Sequence, residues 1–290
     1  MEALQKVLEL KATLDALRPL EPEQENRIMQ KFRLDWNYHS NHLEGNSLTY
    51  GEMKALLLFG ITAQGKPLKD ALEIKGHNEA ISWVFEMVKG DRPLTENFIR
   101  ELHSLLLEES YKASQNEKGE IVPRKIHSGK YKTTPNHVQT VTGEIFYFAT
   151  PEETPAKMHD LLIWYNKKTQ EETANPLLIA AEFHYRFIRI HPFDDGNGRT
   201  ARILMNFILL FYGYPPVVIK TEDKLNYFAA LRLADAGNIE PFILYIAENL
   251  LRSLNLMISG AKGEEIDDEN VFEKIHELEQ KLKELKKKKR

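Results

Sequence analysis

Apolar positions recur at three- and four-residue intervals along most of the chain, and the polar residues between them punctuate helix ends. Ile28, Phe32 and Trp36 fall at four-residue steps in a helix that Gly45 would close. Thr49-Tyr50-Gly51-Glu52 has the form of a capping box, opening a helix that Gly60 would end. Further helices are predicted over 69–88 and 95–111, and from Thr154-Pro155 and Asn175-Pro176, where a polar cap precedes a proline at the first helical position. The apolar stretch 203–219 is broken by Asn206, Gly213 and Pro215-Pro216, falls short of a membrane span and reads as core. One region departs from this grammar. Residues 129–148 are rich in Thr, Val, Tyr and Phe, with Thr142-Gly143-Glu144 as a turn between two strands. A lone hairpin is marginal in water, so it leans on the bundle or covers a site as a flap, the reading we favour. The predicted fold class is all-α: a helical bundle with one β-hairpin flap. Val271, Ile275, Leu278, Leu282 and Leu285 then form a narrow apolar seam on a charged C-terminal helix, which implies a partner helix.

Composition changes this picture in two ways. Lys plus Arg total 39 against 43 Asp plus Glu, a formal net charge of −4, so the surface as a whole is not built for nucleic acid. The chain has no Cys, which removes disulfides, thiolate metal sites and cysteine nucleophiles together. With charges at helical intervals in the first twenty residues in place of a signal peptide, a cytoplasmic protein with no membrane attachment is expected. The closing Lys286 to Arg290 reads as a solvated end that suits the helix dipole.

Chemistry concentrates in His191-Pro192-Phe193-Asp194-Asp195-Gly196-Asn197-Gly198-Arg199-Thr200-Ala201-Arg202, a polar loop between two apolar helical stripes. Gly196 and Gly198 let successive N–H groups turn inward as a nest at the start of the next helix, a site suited to phosphate. Arg199 and Arg202 are neighbours on the first turn of that helix, where cations oppose the dipole unless a polyanion offsets them. Asp195 suits magnesium, an ion that takes one or two carboxylates plus phosphate oxygens. Asn197 can donate to a phosphate oxygen. His191 is placed to act as a base near neutral pH, and Phe193 to plug the core beneath the loop. His184 lies two helical turns before His191, but no H-E-x-x-H zinc motif accompanies it.

This stretch resembles the motif of the Fic family, H-x-F-x-[D/E]-G-N-G-R-x-x-R, at every specified position, and the likeness extends over about residues 93–249. The resemblance implies a protein adenylyltransferase that moves AMP from ATP to a Ser, Thr or Tyr hydroxyl of a target protein, with Mg2+ as cofactor. On that basis His191 is the general base, Asp195 the metal ligand, and Gly196, Asn197, Gly198, Arg199, Thr200, Ala201 and Arg202 line the nucleotide. Tyr227, Phe228 and Asp235 resemble the nucleoside pocket, and Val138, Gln139, Thr140 and Val141 the flap that aligns a target segment. Ser40-Asn41-His42-Leu43-Glu44-Gly45 matches the family's inhibitory motif [S/T]-x-x-x-E-[G/N], so Glu44 is expected to pair with Arg202 and slow the enzyme. The chain then divides into an N-terminal region (1–92) carrying that motif, a core domain (93–260) and a charged C-terminal helix (261–290). Expected partners are ATP and a target protein, with room for a homodimer through the terminal seam. The alternatives are the same fold moving another group, removal of AMP, or a silent nucleotide-sensing module.

Overall fold

The computed structural model describes residues 2–107, 110–115, 121–139, 145–264 and 266. Ten helices make up most of them: α1 (Glu2–Ala16), α2 (Pro22–Leu43), α3 (Tyr50–Phe59), α4 (Leu68–Lys89), α5 (Glu96–Leu106), α6 (Thr154–Thr169), α7 (Pro176–Ile190), α8 (Asn197–Phe211), α9 (Lys224–Asp235) and α10 (Glu240–Ala261). The capping box stands as the sequence implies: Thr49 accepts from the Glu52 amide, Glu52 reaches back to the Thr49 N–H at 2.8 Å, and Gly60 ends α3 in the left-handed conformation. Asn175 caps α7 by accepting from the Leu177 and Leu178 amides. Thr154 does not cap α6; Glu153 holds that position, and the Thr154 hydroxyl donates to the Thr150 carbonyl at 2.7 Å.

Among the described residues, two antiparallel strand pairs lie between α5 and α6, where the sequence suggests one. β1 (Ser110–Gln115) pairs with β2 (Ile121–Ile126), and β3 (Val138–Gln139) with β4 (Ile145–Phe146). The helix expected over 95–111 accordingly stops at Leu106. Leu107 turns extended and stays buried, and Tyr111 pairs with Lys125 across the strands, so tertiary pairing overrides local helical preference.

α8 lies at the centre. Every residue from Arg199 to Leu209 is buried, the mark of a helix enclosed on all sides. One apolar cluster runs from Val7 and Leu14 of α1 through Phe183, Phe187 and Phe207 to Leu254 of α10, so residues on both sides of the boundary expected after 92 share it. A smaller cluster of Leu34, Leu48, Met53, Leu56 and Ile74 seals α2 to α3 and α4. No described helix is long and apolar enough to cross a membrane. The C-terminal seam from Val271 onward lies outside the described residues.

Candidate active site

α7 ends on a left-handed residue that is not glycine: His191, at φ 52° and ψ 59°, its N–H bonded to the Phe187 carbonyl at 3.0 Å. Such a conformation costs an L-residue about 1–2 kcal/mol and persists only where its surroundings over-determine it. The Phe148 ring stacks on the imidazole at 4.0 Å between centroids. Burial, with the Lys132 charge acting in the same direction, lowers the His191 pKa to about 4 against the opposing influence of Ile188, Glu44 and Asp195. The imidazole is therefore neutral at neutral pH with a lone pair able to accept a proton, but it is a weaker base than the near-neutral imidazole the sequence suggests, because burial disfavours its charged form.

The loop beyond it is braced from below. Phe193 is fully buried, as the sequence suggests, and stacks on His103 at 3.8 Å. Asn197 accepts from the Phe193 N–H at 2.9 Å and donates to the Phe193 carbonyl at 2.7 Å, so its amide spans the loop. His103, also fully buried, accepts the Gly129 N–H on Nδ1 at 2.8 Å. Its proton must then sit on Nε2, which donates to the Asp195 carbonyl at 2.9 Å. Burial lowers the His103 pKa to about 4, so this single neutral tautomer holds. The Asp195 carboxylate accepts from the Gly196 N–H at 2.9 Å. Gly196 sits at φ 73°, and a Cβ there would collide with Leu107. Thr200 bonds inward to the Gly196 carbonyl at 2.9 Å, and Ala201 is buried in the core.

The two arginines of the motif diverge. Arg199 is buried against α4 and α2, 3.3 Å from the Glu73 carboxylate and 3.3 Å from Asn41 Oδ1. Arg202 donates from Nε to Ser40 Oγ and from a terminal nitrogen to the Ser40 carbonyl, both at 2.9 Å, and to Glu44 Oε1 at 2.7 Å. The expected Glu44–Arg202 pair is thus present, and Ser40 of the same motif holds the same guanidinium. Burial opposes ionisation of Glu44, but the charge and hydrogen bond of Arg202, helped by Arg199, hold its carboxyl below the ordinary range. Its carboxylate lies over Gly198, where any Cβ would strike it.

The remaining sequence candidates are more dispersed. Tyr227 is buried, its hydroxyl 2.9 Å from His184 Nε2, so it backs the site without facing open space. Phe228 is partly exposed beneath Lys224, and Asp235 pairs with Arg189 at 3.3 Å. Val138 and Gln139 lie in β3, while Thr140 and Val141 fall outside the described residues. A cleft of about 690 Å3, lined by Tyr147, Phe148, Tyr185, Arg186 and Ala234 among others, does not include the glycine nest. Sequence reasoning missed His103, Lys132 and Asn136, which touch the loop from 55 to 92 residues away. No group of three or more His, Asp or Glu side chains among the described residues could hold a metal.

Residues 93–209 match the family model described as Fic/DOC family. A solved Fic-domain-containing signalling protein from Bacteroides thetaiotaomicron is 44% identical, with 91% of this chain and 99% of that one covered and a TM-score of 0.82. Among curated relatives, protein adenylyltransferase fic-1 of Caenorhabditis elegans is 30% identical over 81% of this chain, and protein adenylyltransferase Fic of Nematostella vectensis 32% over 77%. The alignments cover 43% and 48% of those two relatives, so the chain spans under half of their length.

Proposed function

This chain belongs to the Fic/DOC family, and from that premise we propose that it is an adenylyltransferase: it transfers AMP from ATP to a hydroxyl of a target protein, itself included, in a resting state that Glu44 keeps slow. The neutral His191 takes the proton of the attacking Ser, Thr or Tyr hydroxyl. The new bond joins that oxygen to the α-phosphorus, the bond to the β-phosphate oxygen breaks, and pyrophosphate departs. The nest of backbone N–H groups at Gly196 to Gly198 and the start of α8 supply fixed positive potential for the phosphates. Asp195 fits a magnesium ion of the kind that takes a single carboxylate and completes its shell with phosphate oxygens and water. His103 fixes the backbone from which that carboxylate projects. When bound, the ion would neutralise phosphate charge.

The observation that carries this reading is the Glu44–Arg202 contact at 2.7 Å over Gly198. A carboxylate there occupies a guanidinium that a triphosphate would otherwise engage, which favours unproductive nucleotide binding. Glu44→Gly should raise incorporation of labelled AMP from ATP into the protein, and His191→Ala should abolish it in that background. Absence of incorporation in Glu44→Gly would overturn the reading, and a gain of phosphate mass in place of AMP would redirect it to another transferred group. The ionised Glu44 also favours a companion activity, alignment of water for removal of AMP. Loss of AMP release from a modified target in Glu44→Gly, but not in wild type, would support it.

A further inference from the structure

The carbonyls of residues 190 to 193 leave the end of α7 in succession, and each meets a donor from one short segment just before β3. Lys132 Nζ donates to the Ile190 carbonyl at 3.2 Å, and the Lys132 backbone N–H to the Pro192 carbonyl at 2.8 Å. Asn136 Nδ2 donates to the His191 carbonyl at 3.3 Å and to the Phe193 carbonyl at 2.8 Å. The two side chains are joined to each other, Lys132 Nζ to Asn136 Oδ1 at 2.7 Å. A helix C-terminus ordinarily leaves such carbonyls to water or to a glycine motif. Here a buried lysine, only 3% exposed, meets the negative end of the helix dipole. Burying an ammonium is expensive unless hydrogen bonds compensate, so its position is specified and not incidental. Tyr131, the preceding residue, packs its ring against Phe193 at 5.8 Å, extending the same brace.

We propose that Lys132 and Asn136 form a positioning clamp for the transfer reaction, holding the backbone of His191 in its left-handed turn so that the imidazole is aimed at the incoming hydroxyl. The clamp rests on the function proposed above but makes a separate claim about what fixes the base. Asn136 stands two residues before β3, so the same residues that grip the catalytic loop also anchor the entry of the strand pair. A clamp of this kind affects the step at the base and leaves nucleotide uptake at the far side of the loop unchanged.

The test uses the Glu44→Gly chain as parent. Lys132→Met should lower the rate of AMP transfer at saturating ATP by about 100-fold, the scale expected when a reacting group is displaced by about 1 Å, with KM for ATP unchanged. Lys132→Arg, which keeps the charge and the donors, should recover most of that rate. Asn136→Asp, which keeps the acceptor for Lys132 but sets a carboxylate against two carbonyls, should be as impaired as Lys132→Met. An unchanged rate in Lys132→Met would overturn the clamp, as would equal impairment of the methionine and arginine variants. Hydrogen exchange of the 188–197 peptide provides a reading that needs no turnover. Faster exchange in Lys132→Met and Asn136→Asp, with exchange in Lys132→Arg as in the parent, supports the clamp; identical exchange in all four proteins overturns it. An inert parent would thus count against the proposed activity while exchange still decides the clamp.

Discussion

Arg199 and Arg202 stand one turn apart on α8, both buried and both cationic, yet they are held by different kinds of partner. Arg199 meets Glu73, whose side chain is 11% exposed and which also accepts from Asn46 at 3.2 Å. Arg202 meets Glu44, whose side chain is 38% exposed and belongs to the residue just past the end of α2. Opening the first pair strands a charge in the interior; opening the second releases a carboxylate with a path to water. One ion pair is enclosed by the fold, and the other has its carboxylate within reach of solvent.

Acid should disturb this arrangement most. Three buried imidazoles, His77, His103 and His184, surround the two arginines, and burial, aided by arginine charge, lowers all three, His103 to about 4 and His184 to about 3. The unfolded chain takes up these protons below about pH 6.5, whereas the fold refuses them, so stability is complete above that pH and falls as pH drops toward the folded values. A tenfold change in proton affinity between the folded and unfolded states is worth about 1.4 kcal/mol, so urea unfolding at pH 4.5 and pH 7 should differ by several kcal/mol. Glu44 works in a lower window. Its depressed pKa stabilises the fold above about pH 4.3 and that contribution disappears only as pH falls through the folded value, so the Glu44–Arg202 pair should survive at pH 5. A pH-independent midpoint between 7 and 4.5 would show that the imidazoles are not kept neutral.

Smaller is the effect of severing each pair. Arg199→Met should cost about 3 kcal/mol, because it leaves the buried Glu73 with only the more exposed Lys69, 3.5 Å away, whereas Glu44→Gly, which leaves the buried Arg202 its two bonds to Ser40, should cost about 2 kcal/mol. Equal losses in denaturant titration would erase the distinction between the two arginines. Smallest is a control remote from both: Thr49→Ala, which breaks the α3 capping box, should cost about 1 kcal/mol and leave AMP transfer as it was.

Features set by neighbours in the chain are legible from the sequence alone. The Thr49–Glu52 box, the Gly60 stop, the Asn175 cap and the buried Phe193 all follow from patterns a few residues long. The pairing of Glu44 with Arg202 spans 158 residues, and it is readable only because two motifs resemble those of one family. What escapes are contacts that no local pattern announces. His103 looks like one polar residue on an amphipathic helix, and nothing in its neighbourhood points to the Asp195 carbonyl. Lys132 and Asn136 sit in a segment that reads as strand and turn, where a lysine is ordinarily a surface residue. Tyr111 reads as helical because the partner strand that claims it lies beyond a local window. Tyr227 is assigned to a nucleoside pocket by resemblance alone, and its hydroxyl's approach to both His184 and Arg202 is set by packing that no local pattern announces.

Position 198 offers its surroundings nothing larger than a hydrogen atom, and the space so spared has room for one tenant. A methyl group there would evict the Glu44 carboxylate and crowd the Arg202 guanidinium. Under the restraint proposed for Glu44, removing residue 44 would vacate that space, whereas enlarging residue 198 would displace the carboxylate and crowd the guanidinium behind it in one stroke.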